Sequence, residues 1–313
     1  MKDVDKCEAE ARDRIGAVFA PIIAWDTVNE PMVRQWLEVF GYEQEYAQPG
    51  LRGDAPIPWT MMQVWTMPGY AGRHAPGSVE CDAWDVLKIF ASYGFTKAIG
   101  VSTVQNYDRQ LSLGDRLKYT SQVHAVSSLK RTALGNGFFV TVRYAFTDQT
   151  GQSVGTLDFT MLVVHPAHHA DAQTEKPQPR RDAAEIEAVG GFGGVRIPIT
   201  ATTIVATAIA TRDFHPVHHD RDFARESGSP DIFMNILAIS GYVERFVQTS
   251  LGLSVRILSL AVKLALPIYP GDVLCLTGRL QICDSADGYA TISVVGSSVR
   301  GLHVDAAVKV KRP

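Results

Sequence analysis

The chain has 313 residues, 46% of them hydrophobic and 20% charged, which suits one large domain or two of moderate size and excludes a disordered or fibrous protein. Thirty basic residues against 33 acidic ones leave a formal net charge of −3. That balance carries no electrostatic footprint for nucleic acid or for an anionic membrane surface, although local patches could still hold a phosphorylated small molecule.

The opening residues Met1 to Lys6 are polar and charged, without the apolar core of a signal peptide. No window approaches the roughly eighteen apolar residues of a membrane-spanning helix. Cys7, Cys81, Cys275 and Cys283 form neither a CxxC pair nor a zinc-type spacing, so they read as reduced thiols in a cytoplasmic protein. Asn29-Glu30-Pro31 predicts a helix start, with the helix running through Met32, Val33, Trp36, Leu37 and Phe40 to a stop at Gly41. From Tyr46 to Gly77 the chain is rich in Pro, Gly, Trp and Met and predicts a long irregular segment. Trp59, Met61, Met62, Trp65 and Met67 within it either fill core or line a binding slot.

Strand patterns begin at Ser102. Lys118–Val123 and Gly137–Phe146 read as strands, Asp148 to Gly151 as a tight turn, and Ser153–His165 as the returning strand of an antiparallel meander. The stretch from His165 to Gly194 then breaks the pattern with Pro166, Pro177, Pro179, Arg180-Arg181 and four glycines among residues 190–194. Domains are accordingly placed at 1–166 and 195–313, joined by a solvated linker over 167–194. His165, His168 and His169 have a tempting spacing, but no carboxylate or cysteine stands near, and no metal is expected. After the linker come a predicted strand from Ile197 to Ala210, an apolar helical run from Ile232 to Leu251, and strands over Val255–Leu264, Asp272–Cys283, Ala290–Ser298 and His303–Lys311. Strands with a central helix predict an α+β fold.

A faint repeat supports two copies of one domain type. Leu113-Gly114-Asp115-Arg116-Leu117 and Pro270-Gly271-Asp272-Val273-Leu274 stand 157 residues apart, each turning into a long strand.

The candidate chemistry lies in Asp213-Phe214-His215-Pro216-Val217-His218-His219-Asp220, which holds three of the chain's nine histidines. Asp213 and His218, five positions apart around a proline, are suited to moving protons near neutral pH. Held on either side of one water, they could take its proton and return one to a neighbouring carbon. That equips them to hydrate a double bond conjugated to a carbonyl, or to catalyse the reverse dehydration. A backbone N–H near Met234-Asn235-Ile236, at the start of the following helix, would stabilise the carbonyl oxygen. The alternative is that Asp213 caps a turn and His218 is a surface histidine.

This run, followed by Ala224, Gly228 and Ile232-Phe233-Met234-Asn235-Ile236-Leu237, resembles the signature of the MaoC-like, (R)-specific enoyl-CoA hydratases. Their motif reads Asp-x-Asn-Pro-x-His-x-Asp, then Gly and a His-Gly-Met-Leu stretch. The Pro270-Gly271-Asp272 turn fits the same family. The resemblance covers residues 195–313 and implies a tandem (double) hot-dog, with an antiparallel sheet wrapped around a central helix in each half. It makes Asp213 and His218 the catalytic pair and the Ile236 N–H the oxyanion donor. Asn235 becomes a candidate for contacting the substrate, and the nearby charges Arg212, Arg221, Arg225 and Lys263 are candidates for holding the CoA phosphates, the alternative for each being an ordinary solvated residue. Two departures stand out: His215 replaces the motif's Asn, and Asn235-Ile236 replaces His-Gly. The Asp-Ile-Phe-Met-Asn-Ile-Leu variant is similar to the branch acting on steroid side-chain enoyl-CoA thioesters.

The first half contains no Asp-x4-His and resembles a non-catalytic hot-dog domain, in which Trp59, Trp65 and their neighbours as far as Tyr70 would widen the acyl cavity. No cofactor is implied beyond the CoA carried by the substrate, and a second copy or a thiolase-like protein is the implied partner. Two rivals share the fold: a thioesterase, for which Glu244 on the helix is the available carboxylate, and a non-catalytic subunit of a hydratase complex.

Overall fold

The computed structural model describes residues 2–42, 57–166, 191–284 and 288–311. Most of the predicted linker 167–194, namely residues 167–190 with His168 and His169, and the start of the irregular segment, residues 46–56, lie outside the described residues. An opening helix, α1 (Lys2–Arg12), is one that its charged composition did not predict; it buries Cys7 and Ala11. Next come β1 (Val18–Ile23) and α2 (Glu30–Val39), whose cap Asn29 accepts the Met32 N–H at 3.1 Å as the Asn-Glu-Pro signal foretold. Short 3-10 turns over Trp59–Met62, Val64–Thr66 and Ala83–Val86 lead into α3 (Leu87–Ser92). The strands β2 (Lys97–Tyr107), β3 (Lys118–Val126), β4 (Lys130–Thr132), β5 (Gly135–Thr147) and β6 (Ser153–Val164) complete the first half.

The second half runs β7 (Gly191–Pro198), α4 (Ala201–Ala210), α5 (Arg221–Glu226), α6 (Ile236–Leu251), β8 (Arg256–Leu264), β9 (Val273–Asp284), β10 (Tyr289–Ser298) and β11 (Gly301–Lys311). Two expectations are corrected here. Gly191–Gly194 belong to strand β7, paired with β9, rather than to the linker. The predicted strand from Ile197 to Ala210 is mostly helix α4. Its β-branched residues favour a strand, but Thr200 and Thr203 form a reciprocal capping box that starts a helix instead.

The strands form one eleven-stranded sheet in the order β1-β3-β5-β6-β2-β8-β11-β10-β9-β7, with β4 pairing to β5. Counted outward from the β2–β8 seam, each half uses its second, fifth, fourth, third and first long strand. The repeat glimpsed in the Gly-Asp turns is therefore a repeat of topology. Gly114 and Gly271 have φ of 91° and 95°. Their N–H groups donate to Val28 and Ile199 carbonyls at 2.8 and 2.7 Å, and Asp115 and Asp272 each accept the N–H three residues back at 2.8 Å. An arginine pairs with each aspartate, Arg109 in the first half and Arg300 in the second.

The halves differ at the centre. Helix α6 spans 16 residues, with a nearly unbroken run of buried residues from Ile236 to Gln248 that only Arg245 interrupts. Its counterpart in the first half is no long helix: Ala83–Val86 and α3 stop at Tyr93, before Gly94 at φ 85°. A central helix in each half was the expectation; among the described residues the second half carries the long α6 and the first half the short α3. Neighbours crowd α6 closely. A Cβ at Gly241 would stand 2.7 Å from Phe40 on the first half, and one at Gly278 would stand 2.6 Å from Phe246.

One buried carboxylate fastens the first half to this helix. Glu244 accepts the N–H groups of Trp59 and Thr60 at 2.8 and 2.9 Å, the Thr60 hydroxyl at 2.6 Å, and the Gln248 amide at 3.1 Å. Gln248 in turn accepts the Tyr42 hydroxyl at 2.6 Å. Burial pushes the Glu244 pKa up, and these hydrogen bonds oppose the rise. No helix among the described residues is long and apolar enough to cross a membrane. Glu244→Ala leaves two buried backbone N–H groups without an acceptor, so chemical denaturation should show a loss of about 3 kcal/mol or more. A loss below about 1 kcal/mol would mean that other groups join the halves.

Candidate active site

The site grows from the end of α4. Beyond Ala210 the chain closes a Schellman-type turn, in which the Arg212 N–H donates to Ile209 O and the Asp213 N–H to Ala208 O, both at 3.0 Å. That turn releases Asp213 from the helix. Pro216 then starts a 3-10 turn ending at His218. Asp220 caps α5 by accepting the Asp222 and Phe223 N–H groups at 3.0 and 3.1 Å. A further segment follows, held by Phe233 N–H to Val217 O at 3.3 Å and Met234 N–H to Ile268 O at 3.0 Å. Helix α6 begins only at Ile236, four residues later than the apolar run suggested, because Asn235 caps it.

These elements bring Asp213 and His218 together. His218 Nε2 stands 3.5 Å from Asp213 Oδ2, and the two side chains are 10% and 17% exposed. That separation is too long for a strong direct hydrogen bond but lets both groups touch one water. His218 Nδ1 lies 2.7 Å from the Phe233 carbonyl oxygen. A carbonyl only accepts, so Nδ1 carries the proton and the neutral ring presents a lone pair on Nε2 toward Asp213. Burial lowers the His218 pKa, with the Asp213 charge and the Phe233 bond pulling the other way. His218 is buried rather than a surface histidine, whereas Asp213 does accept a turn N–H, that of His215, with its other oxygen facing His218.

The other histidines brace the segment. His219 Nε2 meets the Phe214 carbonyl at 3.1 Å, while the His215 N–H reaches Asp213 Oδ1 at 3.4 Å, leaving Oδ2 to face His218. The remaining sequence candidates fall in different places. Asn235, expected to contact substrate, is 3% exposed and is used at both ends by the fold: Oδ1 accepts the Ala238 N–H at 2.7 Å and Nδ2 donates to Thr211 Oγ1 at 2.9 Å. That cap leaves the Ile236 and Leu237 N–H groups in the first turn without an intrahelical acceptor, where the helix dipole favours negative charge. The Ile236 side chain packs into the core. Arg221 is paired with Asp231 at 2.9 Å and Arg225 with Asp222 at 3.6 Å. Lys263 is exposed on β8, opposite Asp305 of β11. Neither Lys263 nor Arg212 has an ion pair among the described residues, and of the two only Arg212 is partly buried.

Trp59 and Trp65 lie in the hydrophobic core at 6% and 3% exposure, Trp59 packed on Tyr107. The Trp65 indole N–H is buried without a hydrogen-bond partner among the described residues. Sequence reasoning missed Phe233 and Thr211. The first acts through its backbone carbonyl, which no residue type announces, and the second through a partner 24 positions away. The segment from Trp59 to Tyr70 ends in a loop at Gly69 and Tyr70, where Tyr70 meets Phe214 edge-on at 6.0 Å.

A sheet of this order around a long helix, with an Asp–His pair before that helix, defines a MaoC-like double hot-dog protein. No family profile matches the chain. It is 45% identical over 109 residues to the 3-oxo-4,17-pregnadiene-20-carboxyl-CoA hydratase beta subunit of Mycobacterium tuberculosis, covering 83% of that protein and 35% of this one. It is 31% identical over 173 residues to a probable enoyl-CoA hydratase alpha subunit of Thermomonospora curvata, covering 54% of that protein and 53% of this one. The chain therefore spans about half the length of that alpha subunit. Among solved structures, a MaoC-like dehydratase superposes with a TM-score of 0.72 at 18% identity, over 97% of this chain and 100% of the other. The chain belongs to the MaoC-like hydratases, in the branch that includes the pregnadiene-carboxyl-CoA hydratase subunits.

The depressed His218 pKa has a direct consequence, because the base form of Nε2 is the one the fold presents. The acid limb of kcat/KM against pH should fall below 6.5, the ordinary imidazole value, with the rate level through neutral pH. A limb at or above that value would show that His218 is not the controlling base.

Proposed function

We propose that this chain adds water across the double bond of a 2-enoyl-CoA thioester, or removes it in reverse. The observation that carries the reading is the approach of His218 Nε2 to within 3.5 Å of Asp213 Oδ2 while Nδ1 is held by the Phe233 carbonyl, a geometry in which both groups can touch one water. Nε2 accepts a proton from that water while its oxygen bonds to Cβ. The electron pair of the double bond moves toward the thioester oxygen, which rests on the N–H groups opening α6, foremost that of Ile236. A proton then passes from the pair to Cα on the same face. Atoms and charge balance without any cofactor beyond the CoA of the substrate. The name of the M. tuberculosis relative supports a bulky, steroid side-chain acyl group as the substrate class. In this reading the first half receives that group, with Trp59 and Trp65 along its path and the unpartnered Trp65 N–H as a donor.

The thioesterase alternative is disfavoured by Glu244, whose oxygens already accept from four protein donors. Purified protein incubated with a panel from crotonyl-CoA to a steroid side-chain enoyl-CoA separates the readings. Loss of enoyl absorbance without thiol release is expected, and release of thiol would favour a thioesterase. Silence on every substrate would favour a non-catalytic subunit. Asp213→Asn and His218→Ala should each lower hydration by about 10²–10⁴-fold while circular dichroism stays unchanged. Near-normal rates in either variant would sink the mechanism.

The alpha and beta subunit names of the relatives support the view that the β2–β8 seam joins in one chain what those proteins divide between two. Association with a second copy or a thiolase-like protein would be additional. Light scattering against the chain mass of 34.2 kDa tests for the second copy, and co-purification with a thiolase tests for the other. A cytoplasmic setting is proposed from the free cysteines Cys7, Cys81 and Cys275, and recovery in another cell fraction would contradict it.

A further inference from the structure

Immediately before the catalytic carboxylate the backbone turns left-handed. Arg212 has φ of 56°, the one positive value at a non-glycine position among the described residues. It occupies the place in the turn after α4 that glycine fills without a Cβ clash. An arginine there keeps a conformational cost that glycine would relieve, which points to a use for its side chain. A second, independent observation concerns the guanidinium itself. Its Nε is buried and has no hydrogen-bond partner among the described residues.

The surroundings say which way this cation faces. A Cβ at Gly69, in a loop of the first half, would stand 2.9 Å from Arg212 Nη2. The next residue, Tyr70, is 83% exposed and leans on Phe214. The guanidinium thus lies between the two halves beside solvent. Arg212 is at the rim of the site rather than at the reacting atoms. A half-buried cation with no ion pair among the described residues, offering a planar fork of N–H donors, matches a phosphate oxygen.

We propose that Arg212 holds a phosphate of the CoA arm, in a cradle completed by the first-half loop at Gly69 and Tyr70. This rests on the hydratase reading, since the thioester substrate supplies the phosphates. Arg221, Arg225 and Lys263 are then not required for that contact.

The test compares wild type with Arg212→Gly on crotonyl-CoA and crotonyl-pantetheine, which share the reacting end and differ in the phosphates. The variant should raise the KM for crotonyl-CoA about tenfold and narrow the preference for CoA over pantetheine by a similar factor. Added salt, which raises the wild-type KM for crotonyl-CoA, should act more weakly on the variant. Its melting temperature should hold or rise, because glycine suits the turn. Arg212→Lys, which keeps the charge without the fork, should recover part of the loss. Equal losses on both thioesters, or an unchanged KM for crotonyl-CoA, would overturn the assignment. Saturated butyryl-CoA binds without turning over, so its Kd by calorimetry judges Arg212 separately from catalysis. A tenfold weaker Kd in Arg212→Gly supports the proposal and an equal Kd overturns it, whereas absence of hydration in wild type counts against the hydratase reading instead.

Discussion

The Asn235 amide is the joint on which the site depends. One end caps α6 and the other reaches Thr211 at the end of α4, so a single side chain ties together the two helices that flank the acid–base pair. Two residues before Asn235, the Phe233 carbonyl sets the tautomer of His218; two residues after Thr211 stands Asp213. Asp213, His218 and the N–H groups opening α6 are thus placed by one short set of buried hydrogen bonds. Buried polar links of this kind are worth most when every member is satisfied, and here both ends of the amide are.

Around that joint the fold repeats itself and then breaks the repeat where chemistry is needed. Strand order, Gly-Asp turns and the arginine pairing of Asp115 and Asp272 recur in both halves. The long helix does not. Where the first half could have carried a second one, it has short 3-10 turns and α3, and the Trp59–Thr60 backbone docks on Glu244 of the single long helix. The division follows from the sequence of α6, whose buried face needs partners on all sides. Its Gly241 admits Phe40 and Trp36 of the first half to within the space a Cβ would occupy. The first half is in this sense packing and wall for a site whose acid–base pair lies wholly in the second.

Much of this could be read from particular residues. Asn29-Glu30-Pro31 marked α2, the alternation in Gly137–Phe146 marked β5, and Gly114-Asp115 with Gly271-Asp272 marked the repeat, because caps, strand periods and tight turns are local events. The reading failed where a local cue competed with a stronger one. Ile and Thr favoured a strand over 197–210 until the Thr200–Thr203 capping box is counted, and the glycines of 191–194 looked like linker although β9 pairs with them as a strand.

By itself the sequence picked out the Asp213/His218 pair, the duplicated α+β architecture and a near-neutral charge balance. Each of these depends on residue type and spacing along the chain. Only the tertiary structure decided which nitrogen of His218 faces Asp213, that Asn235 is a cap, that Glu244 is a fastener and that the Arg212 guanidinium lies against the Gly69 loop. Those outcomes depend on which groups meet across the fold, such as Glu244 with Thr60, 184 residues away. A hydrogen bond over that distance is settled by packing, and no local pattern in the chain records it.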